Sequence, residues 1–386
     1  MCSAHNAASR SDLITSALPV APIKGERSLP QKISGCALDI LPSSPMKIAL
    51  DAMGGDYAPH AIVEGAVGAA REFGTEIVLV GDEETIRAAL RKHHTDGLAL
   101  SVQHASQQVT MAESPASVIR KKRDSSIWVA TSMVKKGEAS AIVSAGNTGA
   151  AMAVALFVLG PLEGVERPAI ATLLPTLTGA AVLIDVGANV DCKPDHLFQF
   201  GAMGYVYAKE MLGISTPRVG LLSIGEEDAK GNDLTREAFK KLKEAGMGFV
   251  GNVEGRDLYS GNADVIVCDG FIGNVALKVS EGLAETLVQF LKLEIGASAW
   301  GRVGALFLRS AFARFKKKID YAEYGGAPLL GVNGISVICH GRSTAKAIKN
   351  AVRLAEGAAS RGLDRHIKTQ IAYCLQGMPV LSASAR

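Results

Sequence analysis

Short apolar runs closed by glycine alternate along most of the chain with longer stretches of helical periodicity. Residues 47–52 form an apolar run too short for a helix and read as a buried strand. Gly54 and Gly55 follow, freeing the backbone for a tight turn. Pro59 then opens a helix predicted over 59–73, with Asp56 placed to offer a side-chain oxygen near its start. The alternation predicts strands over 76–81, 98–104 and 140–145, with helices over 83–93, 114–123 and 126–136. A small-residue helix over 150–159 precedes strands over 170–174 and 180–186, joined at Thr178-Gly179 in the manner of a hairpin. Helices over 195–212, 233–245, 273–295 and 343–361 and strands over 218–223, 265–268 and 335–339 continue the pattern. Such repetition predicts a three-layer α/β protein whose largely parallel sheet is covered by helices on both faces.

The ends of the predicted strands carry an unusual amount of glycine together with Asn, Asp, Lys or His. The segments are 51–56, 144–149, 185–193, 251–257, 269–278, 325–328 and 339–343. A parallel sheet would set them along one edge, where they would meet in a crevice suited to an oxyanion or phosphate. Taken singly, each is also an ordinary strand-to-helix turn. Familiar catalytic signatures are missing: the chain has no P-loop, no G-x-S-x-G elbow and no H-E-x-x-H. The G-x-G-x-x-G match at 246–251 follows a helix and enters a strand, the reverse of the dinucleotide-binding order.

Composition narrows the classes. The 386 residues are 48% hydrophobic and 20% charged, enough for a sizeable core and for two lobes. A net charge of +3 gives no global argument for nucleic acid. The six cysteines show no zinc spacing, and Cys268 and Cys339 close apolar runs, as reduced core residues of a cytoplasmic protein do. No metal or organic cofactor is expected. Residues 1–45 lack a secretory h-region and sustained periodicity, so they read as a disordered or misassigned extension ahead of Met46. Residues 296–318 differ in kind, being basic and free of acids. On a helix, Trp300, Val303, Phe307, Ala311 and Phe315 share one side, with Arg302, Arg309 and Lys316 opposite, although Arg314 and Lys318 breach the apolar edge. That separation suits an anionic membrane surface or an acidic protein, and equally a subunit interface with a solvated basic face.

In order and in residues, the segments 46–56, 144–150, 185–189, 252–257, 268–274 and 321–341 closely resemble the bacterial phosphate acyltransferases, the acyl-ACP:phosphate transacylases of phospholipid synthesis. The resemblance covers most of 46–360 and implies an isocitrate/isopropylmalate-dehydrogenase-like fold related to phosphotransacetylase, working as a homodimer. The expected lobes are 46–155 with 325–386, and 156–324, with a cleft between them. The implied reaction moves a fatty acyl group from acyl carrier protein to inorganic phosphate, which is itself the nucleophile. In this reading Gly54, Gly55, Asp56, Gly146, Asn147, Thr148, Gly149 and Asn189 cradle phosphate. Lys193 or Lys278 supplies positive charge, Asn274 faces the thioester carbonyl, and His340 manages a proton for the departing thiolate. His340 also suits a purely structural place at a strand end. Trp300, Arg302, Phe307, Arg309, Phe315 and Lys316 form the expected contact with carrier or membrane, making the protein cytoplasmic with peripheral membrane association. A short-chain phosphotransacetylase, a decarboxylating dehydrogenase and an inactive carrier-binding scaffold are the alternatives.

Overall fold

A computed structural model describes residues 46–319 and 321–376, apart from the side chains of Lys316, Ile319 and Tyr321. The expected extension at 1–45 lies outside these residues. Eleven strands form the sheet: β1 (Lys47–Asp51), β2 (Glu76–Gly81), β3 (Leu100–His104), β4 (Ala141–Ser144), β5 (Ala169–Thr176), β6 (Gly179–Ile184), β7 (Val219–Leu222), β8 (Phe249–Val253), β9 (Val265–Val267), β10 (Ala327–Leu330) and β11 (Ile335–Ile338). Their order across the sheet is β3-β2-β1-β4-β11-β10-β5-β6-β9-β7-β8. The strands of the two expected lobes thus hydrogen-bond into one continuous sheet, joined where β10 pairs with β5.

Central strands are buried on both faces, which explains their unbroken apolar runs. Ile48 and Leu50 pack on one side, against α1 (His60–Phe73), α6 (Pro194–Leu212), α7 (Asp233–Glu244), α11 (Ala345–Ser360) and α12 (Leu363–Leu375) in a shared core. Ala49 and Ile142 face the other side, against α3 (Pro115–Lys121), α4 (Ser126–Lys135) and α5 (Thr148–Val158). The short α2 (Glu83–Leu90) is capped by Asp82, which accepts from the Thr85 N–H at 2.9 Å. Asp56 plays no such part at α1, which starts at Pro59 without a side-chain cap.

Strand direction decides where the loops go. β1, β2, β3, β4 and β11 are mutually parallel. β10 is antiparallel to β11 and to β5, and β5 is antiparallel to β6. β6, β7, β8 and β9 are again mutually parallel but run opposite to the first set. The carboxyl ends of the two sets therefore open onto opposite edges of the sheet.

The segment expected as one basic amphipathic helix is two helices at the end of a third. α8 (Gly270–Ala297) is 28 residues long and buries only Gly270 and Gly273. Ser298 then caps α9 (Ala299–Phe307), accepting from the Gly301 N–H at 2.8 Å. Leu308 separates α9 from α10 (Arg309–Ile319). Among the described residues no helix is long and apolar enough to cross a membrane.

Candidate active site

At the carboxyl edge of β1, β4 and β11, three glycine-containing loops meet. Asp51 ends β1 and is almost wholly buried. Its carboxylate accepts from the Ser144 hydroxyl at 2.7 Å and from the Met53 N–H at 3.2 Å. Ser144 in turn accepts from the Gly146 N–H at 3.1 Å. One buried carboxylate thus ties the β1 turn to the β4 turn. The contact is so tight that a Cβ on Gly54 would stand 2.5 Å from Asp51 Oδ2 and 2.8 Å from the Gly146 nitrogen. Gly55 takes a φ of +106°, which side-chain-bearing residues rarely adopt. The third loop joins through the Asp56 N–H, which donates to the Gly341 carbonyl at 2.8 Å. Burial raises the Asp51 pKa, while hydrogen bonds from Ser126, Ser144 and the Met53 and Gly54 N–H groups pull it back.

Asn147 caps α5. Its Oδ1 accepts from the Ala150 N–H at 3.0 Å, and its amide donates to the Met111 carbonyl at 2.8 Å and the Glu113 carbonyl at 3.0 Å. These bonds engage both amide hydrogens in bracing the loop, rather than leaving them to reach a ligand as expected. The Thr148 and Gly149 N–H groups come first in the helix and by position have no intrahelical acceptor. Thr148 is exposed beside them. His340 is exposed at the end of β11, and its Nδ1 accepts from the Arg342 N–H at 3.2 Å. That bond assigns the proton of the neutral ring to Nε2.

A second gathering lies at the opposite edge, after β6 and β9. Asp185 is fully buried, and its carboxylate accepts from the N–H groups of Ile170, Gly187, Ala188 and Asn189. The Asn189 amide donates to Asp185 Oδ2 at 2.9 Å and to the Pro168 carbonyl at 2.7 Å, so this side chain too is engaged within its loop. The first turn of α8 is pressed onto that loop: a Cβ on Gly273 would run into the Asp185 carbonyl oxygen. Asn274 is exposed next to Gly187, whose Cβ would lie 3.7 Å from Asn274 Cγ. Lys193 is exposed at the start of α6, where its N–H donates to His196 Nδ1 at 3.0 Å. Lys278 pairs with Glu281 at 2.8 Å on α8.

The expected site residues therefore fall into two groups. Gly54, Gly55, Asp56, Gly146, Asn147, Thr148, Gly149 and His340 share one edge. Asn189, Lys193, Asn274 and Lys278 share the other, and Trp300, Arg302, Phe307, Arg309 and Phe315 lie beyond α8. Sequence reasoning placed Asp51 and Asp185 in the loops but did not give them their bracing role. Both are the last acidic residue of a wholly apolar run, and that is the signal that marked them. The 105–113 loop went unremarked although the Gln108 amide donates to the Met53 carbonyl at 2.8 Å. Cysteine offers no nucleophile here. Burial pushes the Cys339 thiol up to about 12 and, with the charge of Asp185, the Cys192 thiol up to about 11.

The fold is an α/β one shared with solved phosphotransacetylases. The chain is similar to a phosphotransacetylase from Streptococcus pyogenes, with a TM-score of 0.59 at 17% identity over 87% of this chain and 99% of that one. The EutD phosphotransacetylase from Staphylococcus aureus gives 0.55 at 16% identity, over 82% of this chain and 94% of that one. Sequence goes further. The family model described as "Fatty acid synthesis protein" matches residues 46–365. The phosphate acyltransferase of Pelotomaculum thermopropionicum is 57% identical over 326 residues, which is 84% of this chain and 95% of the relative. That of Geobacter sulfurreducens is 56% identical over 322 residues, 83% of this chain and 93% of the relative. The chain belongs to the bacterial phosphate acyltransferase family and is an acyltransferase.

Proposed function

We propose that this protein transfers a long-chain fatty acyl group from acyl carrier protein to inorganic phosphate, giving acyl phosphate for phospholipid synthesis. The observation that carries the reading is the close contact of Gly54 with Gly146 beside the amino-terminal end of α5. Side chains are excluded there, and the N–H groups of Gly55, Thr148 and Gly149 line a surface that suits a tetrahedral dianion. A phosphate oxygen attacks the thioester carbonyl carbon, the new C–O bond forms, the C–S bond breaks, and the leaving thiolate takes a proton. The attacking hydrogen phosphate carries that proton, and His340, at the rim of the cradle, donates its Nε2–H as a hydrogen bond to the departing sulfur. The raised cysteine thiols favour direct attack by phosphate over an acyl-cysteine intermediate.

The second group enters through a second chain. On α8, Val275, Val279, Leu283, Leu287 and Phe290 form an exposed apolar stripe at helical spacing. A homodimer paired along that stripe covers it and brings Asn274 and Lys193 of one chain to the cradle of the other. Trp300 and Phe307 are 85% and 84% exposed on α9, and with Arg302, Arg309 and Phe315 they suit an anionic membrane surface. The protein then works in the cytoplasm with peripheral membrane contact. Incubation with palmitoyl-acyl carrier protein and phosphate, followed by hydroxylamine trapping, tests the reaction. A phosphate-dependent hydroxamate is expected, and its absence overturns the reading. Acetyl-coenzyme A in place of the carrier thioester tests the short-chain alternative, which the phosphotransacetylase-like fold keeps in view.

A further inference from the structure

A basic and aromatic corner lies on the helices that lead away from the cradle. α3 and α5 run side by side from it: a Cβ on Gly149 would stand 3.0 Å from Pro115 Cγ, so the two helices start together. At their far ends the Arg123 guanidinium sits 5.7 Å above the Trp128 ring and 6.0 Å above the Phe157 ring. The two rings are 5.5 Å apart, and Phe157 is 58% exposed. Arg120 and Lys121 are exposed on the same corner. Among the described residues none of these three cations has a carboxylate partner. The neighbouring acids are engaged elsewhere, Glu113 with Lys122 at 2.7 Å and Asp124 with the Ser106 N–H at 3.0 Å.

The bland account of such a run is that cations favour a helix carboxyl terminus. It explains Arg120 and Lys121 but not an exposed Phe157 held under a guanidinium. We propose that this α3–α5 corner, rather than α9, receives the acidic carrier protein that presents the acyl thioester; the proposal rests on the acyl-carrier reading above. Charge complementarity selects an acidic protein, and distance selects this surface. Phe157 lies ten residues along α5 from Asn147, roughly 15 Å at the helical rise, within reach of a flexible prosthetic arm. α9 begins only after all of α8, a helix of roughly 42 Å at that rise. The exposed Trp300 and Phe307 on α9 are then left to the membrane.

The test compares the full-length protein with its R120E/K121E/R123E variant, using palmitoyl-acyl carrier protein as the probe. The carrier Kd and the KM for its thioester should rise by about tenfold or more and lose most of their salt dependence. The kcat and the KM for phosphate should stay within about twofold, since the cradle is untouched. Phe157→Ser should weaken carrier binding in the same direction without a change of charge. A triple variant that binds carrier as well as the unaltered protein overturns the assignment. So does a loss of binding that follows R302E/R309E instead. Failure of the unaltered protein to bind or use carrier thioester at all removes the acyl-carrier reading itself, a separate result.

Discussion

Asp185 draws the N–H groups of Ile170, Gly187, Ala188 and Asn189 onto two oxygens, so the whole 185–189 turn is wrapped around one carboxylate. Asp185→Asn replaces an acceptor oxygen with a donor and leaves buried N–H groups unpaired. The variant should lose about 2–3 kcal/mol of stability near neutral pH, measured by urea unfolding. Burial raises the Asp185 pKa above its ordinary 3.8, so the folded state holds this proton more tightly than the unfolded one. The stabilisation from that proton is complete below 3.8 and is lost as pH rises through the raised folded value. Stability of the native protein relative to Asp185→Asn should therefore fall across that acidic window and level off above it. Gly54 gives a prediction of another kind. Alanine there meets Asp51 Oδ2 at 2.5 Å and the Gly146 nitrogen at 2.8 Å, and neither neighbour is the free end of a flexible side chain. The loops must part, so kcat/KM for phosphate should fall by about 10- to 100-fold, read from initial rates at varied phosphate.

Helices and strands buried on one or both faces were legible because burial writes itself into periodicity. β1, β2 and β4 and helices α1, α6, α7 and α11 are of this kind. β10 was missed because Pro328 and two preceding glycines signal a turn, whereas antiparallel partners on both sides make it a strand. β8 is the strand that the 246–251 segment leads into, but it carries no bounds in the sequence because Gly251 interrupts its apolar run; its pairing with β7 shifts register. α12 had a readable signal, Leu363, Ile367 and Ile371 at four-residue spacing, but it opens on Gly362 at φ +58° instead of a Ser, Thr or Asp cap. The glycine loops of the site were legible as loops. What the pattern of glycines did not carry was strand direction, although the hairpin at Thr178-Gly179 already implied a reversal. That reversal sends 185–189 to the far edge. α8 yields its own prediction. Leu283→Glu with Leu287→Glu sets charge into the exposed stripe without touching the core. The native chain should sediment as a dimer and this variant as a monomer, with unchanged helical circular dichroism. Serine at Trp300, Phe307 and Phe315 should weaken flotation with anionic vesicles and leave sedimentation alone.

At the scale of the molecule the two loop groups pose one question: whether a reaction that uses both draws them from one chain or two. No hydrogen bond among the described residues joins the groups, and the sheet carries them to opposite edges. α8, whose first turn rests on the second group, also bears the stripe that a second copy would cover, so pairing along it places foreign surface beside Asn274. Two damaged chains should then repair one another. Gly54→Val disables the cradle and Asn274→Ala the facing amide, and each homodimer should lose most of its turnover. In a statistical mixture half the dimers are hybrids, and each hybrid has one site built from two undamaged halves. Co-expressed with separable tags, the pair should recover about a quarter of native activity, all of it in the hybrid fraction, as twofold symmetry requires. Hybrids as inactive as their parents would place both groups in the same chain's site and undo the crossed arrangement, while leaving the cradle itself to be judged by the Gly54 variant alone.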